Sequence, residues 1–231
     1  MGTSLEYIKT LLKLALGRGV RKSYGQFGED AVVQSLLKNI KSGTYIDVGA
    51  YHPTLYSNTY ALYKKGWSGV MIDPNAAMGP LFALIRGRDT FVCAAIGQSG
   101  SGTYYAFSDG AYNTFDADEA RERGKLRWLK LIGQWEVPFK PLSDIVREEK
   151  VTKIDFLNID VEGRDLEVLR SYDWSIKPQA IAIEDEHFDP ADAAASPVFA
   201  FLRDKGYTLA GLAGLTCVYA SNQKDSSGVV Q

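Results

Sequence analysis

Three short apolar runs in this chain each end in an acid: Thr44-Tyr-Ile-Asp-Val-Gly-Ala-Tyr51, Gly69-Val-Met-Ile-Asp-Pro-Asn75 and Ile154-Asp-Phe-Leu-Asn-Ile-Asp-Val-Glu-Gly163. The first passes through Asp47 straight into Gly49 and the small Ala50. A tight glycine turn lets a ligand approach the backbone. A carboxylate at the end of the next strand, here Asp73, holds ribose hydroxyls. This pairing points to a Rossmann-like domain that binds an adenosine-containing cofactor. The third run adds Asp160 and Glu162. Ligands of parallel sheets bind outside the carboxyl ends of the strands, so all these acids are expected to share one crevice. A lone Asp-x-Gly is often only a turn, and a strand-ending Asp is often a helix cap. Three in register, at the spacing of successive βα units, carry the argument.

The first loop lacks the full dinucleotide fingerprint. After Gly49 and Ala50 come Tyr51, His52 and Pro53, with no second or third glycine. A pyrophosphate needs close backbone approach and a helix N-terminus aimed at it, and these residues are too bulky for that. A cofactor without phosphates fits better. S-adenosylmethionine suits the pattern, with Asp73 on its ribose and Gly49 and Ala50 beneath its amino-acid part. A methyltransferase is favoured over a nicotinamide dehydrogenase.

The elements that must position these residues alternate in type. Strands are expected at 44–48, 69–73, 90–95, 154–159 and 180–183, and helices at 29–39, 58–65, 76–86, 163–171 and 197–205. A short helix capped by Ser143 runs to Glu149. Residues 207–210 and 216–220 read as a closing strand pair, and 103–107 and 135–139 as extended segments. The alternation predicts a doubly wound α/β sheet ending in a hairpin. The segment 108–135 is an insertion carrying one charged helix near 117–131. Residues 1–22 form a leading helix and linker, 23–221 the cofactor domain, and 222–231 a polar, frayed tail.

From residue 23 to 187 the chain resembles the FkbM-type methyltransferases, especially those opening with a Ser-Gln-Phe-Gly-Glu-Asp-like motif. Here that motif reads Gly25-Gln-Phe-Gly-Glu-Asp30, with Gly25 in place of serine. The likeness continues through Ile46-Asp-Val-Gly-Ala-Tyr-His-Pro53, Tyr56-Ser-Asn-Thr59, Lys65-Gly-Trp-Ser-Gly69, Ile72-Asp-Pro-Asn75, Tyr112-Asn-Thr-Phe115, the run 154–163, Asp165-Leu-Glu-Val-Leu169 and Ala182-Ile-Glu184. The resemblance implies a seven-strand methyltransferase sheet, mostly parallel with a reversed last strand and helices on both faces. It also implies S-adenosylmethionine as donor and, usually, O-methylation of glycans or natural products. Within the matching motifs, Ser57, Asn58, Pro74 and Asn75 join Asp47, Gly49, Ala50, Asp73 and Asp160 as cofactor-binding candidates. Glu29 joins them from the upstream helix, with an ordinary helix-start acid as the competing reading.

Transfer to an alcohol oxygen needs a base or a metal. The chain has two histidines, His52 and His187, and both fall at expected strand ends. His187 is the first choice as base or metal ligand, with Asp160 and Glu162 as partners, and His52 the second. Asp160, Glu162 and His187, with Glu184 and Glu186 nearby, offer an oxygen-and-nitrogen site for Mg²⁺ or Mn²⁺. The plainer alternative is that Glu162 and Glu184 only orient loops and cap helices. Arg86 and Arg88 read as a solvated helix end.

A net charge of −2 gives no basic field for nucleic acid. Cys93 and Cys217 lie in apolar runs and read as reduced core cysteines, which suits a cytoplasm. No apolar run reaches the ~18 residues a membrane span needs. In residues 4–17, Leu5, Ile8, Leu12 and Ala15 make an apolar stripe among basic residues, closed by Gly17 and Gly19. It either docks on protein, the body or a second copy in a homo-oligomer, or lies on an anionic inner-membrane surface. The acceptor is then a sugar hydroxyl of a glycan or its precursor, or else a small molecule or polyketide. A fold retained as a catalytically inactive scaffold is the alternative of another class.

Overall fold

The computed structural model describes residues 2–17 and 22–222. The elements are α1 (Gly2–Ala15), α2 (Glu29–Leu36), β1 (Thr44–Val48), α3 (Tyr60–Lys64), β2 (Ser68–Asp73), α4 (Gly79–Ile85), β3 (Thr90–Cys93), β4 (Ala95–Ile96), β5 (Ser101–Phe107), α5 (Ala117–Arg123), β6 (Leu131–Lys140), α6 (Leu142–Glu148), β7 (Phe156–Ile159), α7 (Asp165–Arg170), β8 (Ala180–Glu184), α8 (Pro197–Asp204), β9 (Tyr207–Ala213) and β10 (Thr216–Ser221). The main sheet has seven strands in the order β3-β2-β1-β7-β8-β10-β9. Neighbours are parallel from β3 to β8, and β10 runs antiparallel to both β8 and β9. The α/β sheet with a reversed last strand is therefore present. The reversal follows from the short turn between β9 and β10, where Gly214 takes a φ of +58°. Only antiparallel strands can be joined so tightly.

Side-chain alternation loads both faces. Ile46, Val48, Val70, Ile72, Leu157, Ile159, Ile181 and Ile183 face one side and pack on Leu142 and Ile145 of α6, Val168 and Leu169 of α7, and Val198 and Leu202 of α8. Tyr45, Met71, Phe156, Ala180, Ala182 and Val218 face the other and pack on Val33 of α2, Leu62 of α3 and Phe82 of α4. These near-continuous apolar runs are those of strands buried on both faces.

The expected strand 90–95 is split at Ala94. Its first part is edge strand β3, and its second is β4, which leaves the main sheet and pairs parallel with β6. The extended segments around 103–107 and 135–139 are the two arms β5 and β6, paired antiparallel. With β4 they form a small sheet beside the carboxyl edge of the main one. The charged helix is shorter than expected, because α5 ends at Arg123 with Gly124 as its C-cap. The cap of α6 is Pro141, and Ser143 instead donates to the carbonyl of Ser171 at 3.1 Å. Cys217 is buried, but Cys93 is exposed, since it ends an edge strand. Gly17 closes the leading turn at φ +63°, while Gly19 and the tail from residue 223 lie outside the described residues. Among the described residues no helix is long and apolar enough to cross a membrane.

Arg86 corrects its surface reading. It is fully buried at the end of α4. Its Nε donates to Asp89 at 2.7 Å, and its Nη atoms donate to Pro53 O, Ser57 Oγ, Tyr45 Oη and Thr59 Oγ1 at 2.8–3.4 Å. One guanidinium thus pins the whole loop between β1 and α3 to α4. A buried ion pair that loses one partner leaves the other charge uncompensated. Arg86→Met is expected to lower the unfolding free energy in urea by about 3–5 kcal/mol. A loss below about 1 kcal/mol, the scale of a surface pair, would contradict this account.

Candidate functional site

The cavity at the carboxyl edge of the sheet is lined by Gly49, Tyr51, Asp73, Pro74, Asp160 and Glu162, and is covered by Asn113 and Phe115 from the insertion. Gly49 has φ +81°, and a Cβ built there would meet the Asp160 carbonyl oxygen at 1.6 Å. Glycine is thus required by the neighbouring backbone, whatever lies above it. The amides of Gly49 and Ala50 both donate to Ile72 O, at 2.9 and 3.0 Å, which fixes the turn against β2. Asp73 ends β2 and accepts from Tyr51 N at 3.0 Å and Asn75 N at 2.8 Å, one amide per oxygen. Burial raises its pKa to about 6, against the pull of those two amides. Each oxygen keeps a further acceptor site for hydroxyls in the cavity. Asn75 lies on the far side of Pro74, where it borders a neighbouring hollow with Cys93 and Ala94.

Five expected cofactor residues stand behind the cavity wall. Asp47 follows Ile46 in the strand, so alternation turns it to the face covered by α2, α3 and α4. There it accepts from Thr59 Oγ1 at 2.6 Å and Asn158 Nδ2 at 2.8 Å. Asn58 donates to Asn158 Oδ1 at 3.1 Å, and Ser57 accepts from Tyr60 N and Arg86. Glu29 is buried and accepts from Phe27 N at 2.8 Å. Ala50 is buried in the core cluster under the loop. These residues shape the loops that carry Gly49 and Gln26 to the cavity. A Cβ at Gly25 would come within 2.4 Å of a Glu29 carboxylate oxygen and 2.7 Å of the Asn58 amide oxygen, so a side chain there would shift those two side-chain ends.

On the opposite side, Asp160, Glu162 and Glu184 each bring a carboxylate oxygen within 4.8 Å of the others. His187 is not among them. Strand β8 ends at Glu184, Asp185 N then bonds to Leu215 O, and His187 lies exposed in the following turn. Glu184 takes the place expected of it. His52 is also occupied elsewhere: its Nδ1 accepts from Thr54 N at 3.2 Å and Leu55 N at 3.0 Å, stapling its own loop. Desolvation lowers its pKa and keeps the ring neutral.

Burial raises the pKa of all three acids, and their mutual repulsion adds to it for Asp160 and Glu184. The Asp160 and Glu184 carboxylates come within 4.8 Å of each other, and like charges this close disfavour double ionisation, so the pair favours holding one proton. One buried oxygen of Glu184 is left without a partner. Arg123 of α5 opposes the rise at Glu162: its Nη2 lies 2.8 Å from Glu162 and 2.9 Å from Glu119, and its Nη1 donates to Tyr112 O at 3.0 Å. It ties the insertion to the acid cluster. Such a set of oxygens suits a hard divalent cation as well as a proton.

The sign of the pH effect on stability follows. An acid whose folded pKa is raised binds its proton more tightly in the folded state. Its stabilising contribution is complete below the unfolded value near 4 and is lost as pH rises through the folded value. Glu184→Gln imitates the protonated form. Its melting temperature should approach the parent's at pH 4 and below, and exceed it at pH 8 by about 2–4 °C, the shift that ~1 kcal/mol gives a chain of this size. A variant that melts below the parent at pH 8 would contradict the shared-proton description.

The residues not foreseen are Tyr51, Tyr104 and the cavity wall from Gly110 to Phe115. The quoted run Tyr112-Asn-Thr-Phe115 was the signal available for them: Asn113 accepts from Phe107 N at 2.8 Å and donates to Tyr104 Oη at 2.8 Å, which folds the insertion over the sheet edge. No curated protein matches the chain. The family model described as Methyltransferase FkbM domain matches residues 47–209, a span from Asp47 in β1 into β9 that takes in both sides of the cavity. The chain belongs to the FkbM methyltransferase family.

Proposed function

We propose that this protein is an S-adenosylmethionine-dependent O-methyltransferase acting on a sugar hydroxyl of a glycan or its precursor. The observation that supports this best is one cavity lined by Gly49 and Asp73 and also by Asp160 and Glu162, two members of a cluster of carboxylates completed by Glu184. The donor supplies an electrophilic methyl group on sulfur. Asp73 suits its ribose, because each oxygen is steadied by one amide and keeps a free acceptor site. The absence of a pyrophosphate cradle is consistent with a donor lacking phosphates.

An acceptor hydroxyl must lose its proton as the methyl arrives. The Asp160–Glu184 pair is suited to take it, since burial and repulsion lift both groups above ordinary carboxylates and make the pair a stronger base. This reading moves the proton-accepting role from His187 to the carboxylates. Mg²⁺ or Mn²⁺ in place of the shared proton is the second reading, favoured by the partnerless oxygen of Glu184. A sugar is favoured over an apolar small molecule by the cavity rim. Tyr51 and Tyr56 stack there at 6.4 Å and present ring faces beside phenolic hydroxyls, a surface suited to a hydroxylated ring.

Asp73→Ala should weaken S-adenosylmethionine binding by ~1–3 kcal/mol in calorimetry, the scale of a charge-assisted hydrogen bond. In the parent, affinity should fall as pH drops through about 6, where Asp73 gains its proton, and this dependence should vanish in Asp73→Asn. A folded Asp73→Ala protein with parental affinity excludes the ribose role. No binding by the parent favours an inactive scaffold.

Asp160→Asn and Glu184→Gln should each lower methyl transfer ~10²–10⁴-fold, the range for losing a general base. Cofactor affinity should be nearly intact in Glu184→Gln, and His187→Ala should stay within about twofold of the parent. Transfer of labelled methyl to a panel of sugars, nucleotide sugars and phenols reads out both rate and acceptor class. Activity lost to chelator and restored by Mg²⁺ or Mn²⁺ supports the cation. A His187→Ala loss comparable to that of Glu184→Gln overturns the carboxylate assignment.

A further inference from the structure

Helix α1 is the one described element whose large apolar side chains all stay in water. Tyr7, Leu14 and Leu16 are about two-thirds exposed, and Ile8 and Leu11 about half. No α1 residue joins a core cluster. Its side-chain bonds stay within the helix: Thr10 donates to Glu6 O at 2.9 Å, and Lys9 lies 3.8 Å from Glu6. Docking on the chain's own body is thereby removed from the choices open at the sequence level. A helix of 14 residues is marginal in water even with favourable composition, so this one needs something to lie against.

The arrangement of residues says what. At 3.6 residues per turn, Leu14, Tyr7, Leu11, Ala15, Ile8, Leu12, Leu5 and Leu16 sweep roughly 200° of the circumference, with Ser4 the one polar position on that arc. Lys9, Lys13, Glu6 and Thr10 share the remaining arc, and Lys9 stands at its edge beside Leu16. A helix-to-helix contact uses a narrow stripe and would leave several of these leucines wet. A lipid interface takes an arc this wide, with long basic side chains at its edge reaching the headgroups. Charge points the same way. Residues 1–22 hold five basic side chains and one acid, a net +4, and the whole chain carries −2, so the remainder carries −6. An anionic surface attracts this segment and repels the body.

We propose that α1 is an interfacial helix that holds this protein on an anionic lipid surface, with the apolar arc from Leu5 to Leu16 in the acyl boundary and Lys9 and Lys13 at the headgroups. The segment lies outside every cavity-lining residue, so the proposal stands apart from the methyl-transfer reading.

The test is co-sedimentation of the full chain with vesicles of phosphatidylcholine alone or mixed equally with phosphatidylglycerol. Binding should be at least about tenfold stronger to the mixed vesicles at low salt and fall severalfold in 0.5 M NaCl. Leu11→Glu/Leu12→Glu and Lys9→Glu/Lys13→Glu should each cut it by at least about tenfold. Both variants should keep the parental melting temperature, because α1 packs on no core. That control separates lost binding from lost folding. Absence of sedimentation with mixed vesicles overturns the proposal, as does binding that Leu11→Glu/Leu12→Glu leaves unchanged. A parent oligomer that the same variant converts to monomer in ultracentrifugation also overturns it, by giving the arc to a second copy of the chain.

Discussion

The site depends on how closely β1 and β7 bring their following loops together. The Asp160 carbonyl occupies the space where any side chain at position 49 would begin. Parallel register explains it: Val48 pairs with Ile159, and Asp160 N then donates to Val48 O at 3.0 Å, so the two chains leave the sheet in contact. Gly49 must turn away at φ +81°, a conformation that costs glycine little. The turn sends its amide and that of Ala50 onto Ile72 O, and Tyr51 N onto Asp73. A single backbone crossing therefore joins the two halves of the cavity. The carboxylate ending β2 and those of Asp160 and Glu162 following β7 line one small space rather than separate grooves.

That crossing concentrates negative charge, and the rest of the site manages it by different means. Asp73 is held by two amides. Asp47 sits among Thr59, Asn158 and the field of Arg86, although burial still raises its pKa. Asp165 uses its carboxylate to accept from Val161 N at 3.1 Å, and burial beside Asp160 lifts it to about 7. Glu162 has Arg123. Among the described residues neither Asp160 nor Glu184 has a basic partner. Of these two least compensated acids Asp160 lines the cavity, while the well-bonded Asp47 stands behind it. A fold selected for stability alone would replace a buried pair of like charges, because each costs free energy when unpaired. Backbone strain has a similar distribution. Of the non-glycine residues with positive φ, Tyr51, Tyr56 and Glu162 all line this cavity.

Much of this fold was legible in the sequence because parallel strands buried on both faces leave uninterrupted apolar runs, and the acids punctuate their ends. Tyr45 to Val48, Val70 to Ile72 and Phe156 to Ile159 could hardly have been anything else. The break at Ala94 was not legible, since Phe91 to Ile96 is apolar throughout and only the pairing partner changes, from β2 to β6. Periodicity also misled at Arg86, where a charged residue at a helix end suggests solvent. Its burial depends on Tyr45, the Ser57–Thr59 loop and Asp89 converging from three places in the chain, which no local pattern records. His187 failed for a related reason. Residue type singled it out as one of the chain's two imidazoles, but direction is set by where β8 stops, and Asp185 turns away through Leu215 O and Ser196.

Losing histidine from the site does not lose the ability to move a proton near neutral pH. A carboxyl group reaches the same range when burial and a like-charged neighbour penalise its ionised form, and the Asp160–Glu184 pair has both. The two devices differ in what happens when the proton is gained. A histidine base becomes cationic beside an acceptor that is becoming anionic. A carboxylate pair holding one proton carries one negative charge and becomes neutral on gaining a second, which removes its repulsion with Glu162. On the proposed reading, that relief would come as the acceptor oxygen is deprotonated, in a cavity lined by Asp73 and Glu162. Arg123 pairs with Glu162 and not with Asp160 or Glu184, which on the same reading leaves those two acids to take the proton.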